Sequence, residues 1–146
     1  MKGRRQSKKR DAILELMRST ASHPGAQWVY DRLKPEYPDL SLGTVYRNIN
    51  LFKKEGAVNY LGVVNGEERF DGTVAPHPHV CCSECGIITD LDEAVFSQIL
   101  GPSRAEIPGF AIDVRNTVFF GLCDACKCGG KKREVQETAV VDRCNI

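Results

Sequence analysis

The stretch Leu40–Val58, LSLGTVYRNINLFKKEGAV, decides how the first half of the chain is read. Leu42, Val45, Ile49 and Phe52 recur at helical spacing and form one apolar stripe. Ser41 is suited to cap the start of this helix and Gly56 to stop it. The opposite face carries Gly43, Thr44, Arg47, Asn50 and Lys54, with Tyr46 at its border. Two readings of that face stand side by side. It enters a DNA major groove, where Arg47 reads a guanine edge and Thr44 and Tyr46 hold phosphates; or it is the solvated face of an ordinary amphipathic helix.

The flanking sequence supports the first reading. Upstream, residues 7–20 fit a helix with Ile13, Leu14 and Met17 on one side, and SHPGAQWVYDRLK (residues 22–34) starts a second helix after Pro24–Gly25. Pro35 and Pro38 end that helix. Downstream, AVNYLGVVNGEERFD (residues 57–71) sets two β-prone runs around Asn65–Gly66, a hairpin signal. Three helices and a hairpin make a winged helix-turn-helix over residues 1–70.

Charge is distributed to match. Net charge is +1 over 146 residues, but residues 1–70 hold 13 Lys/Arg against 8 Asp/Glu, while residues 71–126 hold 2 against 8. A basic half joined to an acidic half suits a polyanion-binding domain followed by something else, although charge also varies by chance along a chain. The apolar content, 42%, suffices for a core, and no apolar run approaches the roughly 20 residues of a membrane helix. The basic start MKGRRQSKKRDAILELM is not read as a signal peptide, because Glu15 interrupts its short apolar part. Seven cysteines without an export signal favour a reducing cytoplasm, where closely spaced cysteines bind metal more often than they form disulfides.

The second half is built around such cysteines. Cys82-x-x-Cys85 and Cys123-x-x-Cys126 are two knuckles separated by 37 residues. Each offers two thiolates to one tetrahedral ion, and four thiolates favour structural Zn²⁺ over a redox CxxC. The intervening sequence reads as small α+β structure: a strand in GIITDL, a helix in LDEAVFSQIL broken near Gly101–Pro102, and strands in FAIDVRNTVFFGLC. Ahead of the first knuckle, His77 and His79 share one face if the chain is extended, so both can grip one ion. Pro78 donates no hydrogen bond and predicts an edge strand. The chain is expected to bend at Cys81–Cys82, leaving Cys81 as a buried apolar residue rather than a ligand. Asp71 and Asp90 flank the pair; His23, taken alone, reads as helix capping.

SLGTVYRNINLFKKEGAV, ERFD, HPHVCCSECG and GLCDAC, in that order, resemble the ferric uptake regulator (Fur) family of bacterial metal-dependent repressors, over about residues 7–126. The resemblance implies a homodimer on a palindromic double-stranded DNA operator. It implies an α+β architecture: a winged helix, a hinge at 71–76, and a small α/β dimerisation and metal-binding domain at 77–126, followed here by a basic tail at 127–146. It implies structural Zn²⁺ on Cys82, Cys85, Cys123 and Cys126, and a regulatory Fe²⁺ or Mn²⁺ on His23, Asp71, His77, His79 and Asp90. It places DNA contacts on the helix of Thr44, Tyr46 and Arg47.

Iron-uptake members commonly place Glu at the positions of Asp71 and Asp90, whereas peroxide-responsive members use Asp at both, so this chain looks like the latter. Such repressors respond when peroxide oxidises a ligand histidine, here His23 or His77; they are not enzymes. Pro76 and Pro78 stand where many iron regulators place ligands of an interleaved second site. An iron- or manganese-uptake repressor of the same family is the alternative, and a non-haem iron enzyme a weaker one. The histidines common after "GF" are replaced around Asp113–Asn116, and the tail, with Cys128 and Cys144 as candidate free thiols, lies outside the shared pattern.

Overall fold

A computed structural model describes residues 8–100, 108–110 and 117–129. The chain forms two compact units that meet in sequence at Val74 and Ala75.

The first unit contains α1 (Lys8–Ser19), α2 (Ala26–Leu33), α3 (Leu42–Glu55) and a hairpin of β1 (Asn59–Val64) and β2 (Glu67–Asp71). Each helix buries the stripe its spacing dictates: Ile13 and Met17 from α1, Val29 and Leu33 from α2, and Val45, Ile49 and Phe52 from α3. Leu42, at the start of the predicted stripe, is only partly buried. Ser41 caps α3, its Oγ accepting from the Thr44 N–H at 3.2 Å, a contact worth about 1 kcal/mol against Ala. Gly56 ends α3 at φ 69°, a left-handed backbone that glycine adopts without steric cost. Asn65 and Gly66 both have positive φ, 53° and 80°, the requirement of a tight two-residue hairpin turn. This is the winged helix read from the sequence.

The second unit holds a three-stranded sheet ordered β4-β3-β5, with β3 at His79–Cys82, β4 at Ile88–Asp90 and β5 at Val118–Gly121. β4 pairs antiparallel with β3, and β5 pairs parallel. Helix α4 (Glu93–Leu100) starts at Asp92, whose Oδ1 accepts from the Ala94 and Val95 N–H groups. Phe96 packs against Phe119 with ring centroids 6.0 Å apart. A short α5 (Asp124–Lys127) follows β5.

Two expectations about this unit are corrected. β3 is the middle strand, not an edge: Pro78 stands just before it, so its missing N–H removes nothing from the ladder. Nor does the chain bend at Cys81–Cys82. The strand runs through Cys82 and turns afterwards, with the Gly86 N–H closing on the Cys82 carbonyl at 2.9 Å. Alternation alone sends Cys81 and Cys82 to opposite faces. Cys81 is 1% exposed, the buried residue expected. Cys128 is disulfide-bonded and not a free thiol. The break near Gly101–Pro102, the segment Asp113–Asn116, Cys144 and the tail from residue 130 lie outside the described residues. Among the described residues, no helix is long and apolar enough to cross a membrane.

Candidate metal centres and recognition helix

The parallel pairing of β3 with β5 sets Cys82 opposite Gly121 and so brings the two knuckles together. Cys82 ends β3, Cys85 lies in the turn after it, Cys123 is the N-cap of α5 and Cys126 lies within that helix. One sulfur from each lies within 4.8 Å of the others, and Cys85 Sγ is 3.8 Å from Cys123 Sγ. A tetrahedral ion with metal–sulfur bonds of about 2.3 Å needs sulfurs roughly 3.8 Å apart, so the group fits Zn²⁺.

Electrostatics prepare one thiolate in advance. Burial pushes the Cys82 thiol up, but hydrogen bonds from the backbone N–H groups of Cys85, Cys123 and Glu84 outweigh it and bring it down to about 6. The adjacent Cys123 side chain, followed by burial, pushes Cys126 up to about 12, and burial raises Cys85. Four clustered sulfurs cannot all be anionic without a cation, so capture of an ion releases protons.

A second group of donors sits at the other end of β3. His79 on β3 is directly opposite Asp90 on β4. Asp90 Oδ1 lies 3.4 Å from His79 Nε2 and 3.2 Å from His77 Nε2, and the two imidazole rings are 4.4 Å apart. His77 Nδ1 is 2.7 Å from the Ala75 carbonyl. A carbonyl only accepts, so Nδ1 carries the proton and Nε2 keeps its lone pair for a ligand. Two imidazole nitrogens converging beside one carboxylate oxygen make a nitrogen–oxygen donor set that suits Fe²⁺, Mn²⁺ or Zn²⁺.

The first unit brings together His23 and Asp71. Both are buried, and a ring nitrogen of His23 lies within 4.8 Å of an Asp71 carboxylate oxygen. His23 is not the cap of α2; Gly25 is, with no side-chain cap bond. His23 instead sits in the α1–α2 loop at φ 51°, a conformation costing a non-glycine residue about 1–3 kcal/mol. The loop is held by β2. Arg69 Nε donates to the His23 carbonyl at 2.5 Å and Nη2 to the Ser22 carbonyl at 3.0 Å, while the Phe70 N–H donates to the Pro24 carbonyl at 3.2 Å. Sequence reasoning passed over Arg69. Its signal was an arginine two residues before Asp71, on the same side of a strand.

On α3, Tyr46 is 41% exposed and Arg47 is exposed. Thr44 is half-buried and its hydroxyl is engaged, 2.8 Å from Ser41 Oγ and accepting from Arg47 Nη2 at 3.0 Å. It therefore orients Arg47 more directly than it offers itself to a phosphate.

The sequence pattern of the ferric uptake regulator family matches residues 1–112. The chain belongs to the ferric uptake regulator family. Members are metal-responsive regulators of transcription. The peroxide operon regulator of Bacillus subtilis (strain 168) is 31% identical over 124 residues, covering 85% of each chain. The Helicobacter pylori ferric uptake regulator Fur shares the fold with a TM-score of 0.63, at 19% identity, over 84% of this chain and 82% of its own. The Campylobacter jejuni peroxide stress regulator matches with a TM-score of 0.56 and 25% identity over 79% of this chain and 85% of its own. Within this Fur-family chain, the second unit holds two groups of donors suited to metals among the described residues, one of four cysteines and one of His77, His79 and Asp90, and the first unit holds the pair His23 and Asp71.

Proposed function

We propose that the protein is a cytoplasmic, homodimeric repressor that senses hydrogen peroxide through oxidation of a histidine ligand. The first unit reads a palindromic operator, and the second dimerises. His23 and Asp71 join His77, His79 and Asp90 in holding one regulatory Fe²⁺ or Mn²⁺, while Cys82, Cys85, Cys123 and Cys126 hold a structural Zn²⁺. The observation that carries this reading is the donor set: three imidazoles and two carboxylates, both of the latter Asp, on either side of the boundary at Val74–Ala75. The Bacillus relative, a peroxide operon regulator, supports the same branch.

The roles divide among the residues. Asp90 faces His77 and His79 and balances the charge of a divalent ion. Ala75 fixes the tautomer of His77. His23 and Asp71 carry the ion's hold into the DNA-reading unit, so that the angle between recognition helices in a dimer depends on occupancy. Fe²⁺ held by these residues would activate peroxide beside the ligand rings, lending an electron to the O–O bond and recovering it from the ring that is oxidised. In the net change, one peroxide oxygen adds to a ring carbon of His23 or His77 and the other leaves as water. The altered ring binds metal poorly, and the repressor lets go of DNA. It reacts once and does not turn over.

The test is anaerobic Fe²⁺ loading, then low peroxide, with DNA retention and peptide mass read together. The peptide containing His23 or His77 is expected to gain one oxygen as DNA is released, and manganese-loaded protein to show neither change. Iron-loaded protein that keeps both its DNA and its unmodified histidines would make a metal-uptake repressor the better account.

For DNA reading, Arg47→Ala is expected to weaken operator binding by about 1–3 kcal/mol and relax specificity at one base, with metal content and dimer mass unchanged. A gel-shift series over operator variants and salt distinguishes this from a phosphate contact, whose loss would be uniform across sequences and strongly salt-dependent.

A further inference from the structure

We propose that Arg69 is a positioning residue: it sets His23 in ligating position before any ion arrives. The inference rests on the reading of His23 as a ligand given above. Arg69 is 6% exposed on β2, and its guanidinium spans two consecutive carbonyls, those of Ser22 and His23. A planar fork of fixed donors matches two adjacent carbonyls, which the single ammonium of a lysine does not. His23 needs such a hold, because its backbone at φ 51° relaxes to a commoner conformation if released. β2 also lies so close to this loop that a Cβ at Gly25 would collide with the side chain of Glu67.

Arg69 and Asp71 are two residues apart on β2 and face the same side. One strand therefore carries both the clamp on the His23 backbone and the carboxylate beside the His23 ring. The Asp71 carboxylate is itself fixed by the Thr73 N–H, which donates to Oδ1 at 2.8 Å. An ion arriving at the first unit meets this pair already formed, and no loop has to order around it. The sign of the effect separates positioning from charge. A buried guanidinium repels a nearby cation, so if charge alone mattered, neutralising Arg69 would tighten metal binding; positioning requires that it weaken.

The test uses the full-length, zinc-loaded protein. Mn²⁺ is titrated and free Mn²⁺ followed by electron paramagnetic resonance. In the manganese-free state, ¹⁵N-histidine spectra follow the three histidines of the chain separately. Arg69→Lys, which keeps the charge but not the fork, is expected to weaken Mn²⁺ about tenfold, the scale of losses when a ligand's supporting partner is removed. Zinc content and helicity should hold. The His23 signals should shift or broaden, while those of His77 and His79 stay in place. Arg69→Gln, which loses both charge and fork, should weaken Mn²⁺ as well; tighter binding would assign Arg69 an electrostatic role only. If Arg69→Lys does not fold, Arg69→Gln decides by the same readouts. His23→Ala and His77→Ala serve as controls. Unchanged Mn²⁺ affinity in both would sink the ligand reading and this inference with it. Weaker affinity in both, with wild-type affinity and an unmoved His23 signal in Arg69→Lys, would overturn the positioning role alone. Parallel changes at all three histidines together with lost helicity would mean that Arg69 merely supports the fold.

Discussion

Replacing Cys85 or Cys126 with Ser is expected to remove Zn²⁺ from the chain and, with it, the folded second unit. A sheet of three strands, each only three or four residues long, buries little on its own. An ion held by four thiolates supplies what the small core lacks, with apparent binding energies of about 10–16 kcal/mol in comparable small zinc domains. Loss of one sulfur leaves three, clustered and mutually repelling. Zinc content by mass spectrometry under native conditions should fall to background. The chain should become monomeric, and thermal unfolding should lose the transition of the second unit while that of the winged helix persists. A stable, zinc-free dimer carrying either substitution would contradict a structural role. Acid should act in the same direction. Protons compete for every thiolate, so zinc affinity falls with falling pH, and Cys82, held at about 6 in the free site, is the last of the shifted thiols to be reprotonated.

The second large effect is expected from His79→Ala. His79 is 2% exposed, directly across the ladder from Asp90, and shares Asp90 Oδ1 with His77. Its removal takes away one of the two imidazoles that converge on Asp90 Oδ1, and water in its place is a far weaker donor. Mn²⁺ affinity should fall by about two orders of magnitude or more, beyond the loss expected for a supporting residue alone. Metal-dependent operator binding should disappear, while zinc content and dimer mass remain as in wild type. Titration of Mn²⁺ against fluorescent operator DNA checks both at once. Retained metal-dependent binding would show that the regulatory ion sits elsewhere.

Much of this was legible before any coordinates, and for local reasons. The α3 stripe, its Ser41 cap and Gly56 stop, and the Asn65–Gly66 turn each depend on residues within a few positions of one another. The two cysteine knuckles were legible because a pair of thiolates three positions apart has few other uses. What failed was the placement of β3. Its parallel partner, β5, returns only after an excursion of more than thirty residues, and nothing near Pro78 announces a second neighbour. The proposed link between His23 and the later donors came from resemblance and not from spacing, since 48 positions separate His23 from Asp71. Arg69 escaped notice because arginine in a strand ordinarily signals solvent. Only the carbonyls it meets explain its burial.

Four residues of β3 carry a donor to each centre, His79 at one end and Cys82 at the other, with both neighbouring strands in register between them. The spacing behaves like a fixed gauge length. Sliding the strand by one position would turn His79 away from Asp90 and Cys82 away from Cys123 in the same movement. Evolution can therefore adjust the sensor by exchanging side chains or by lengthening the connections outside β3. Inserting or deleting a residue within it would disable both centres in one step.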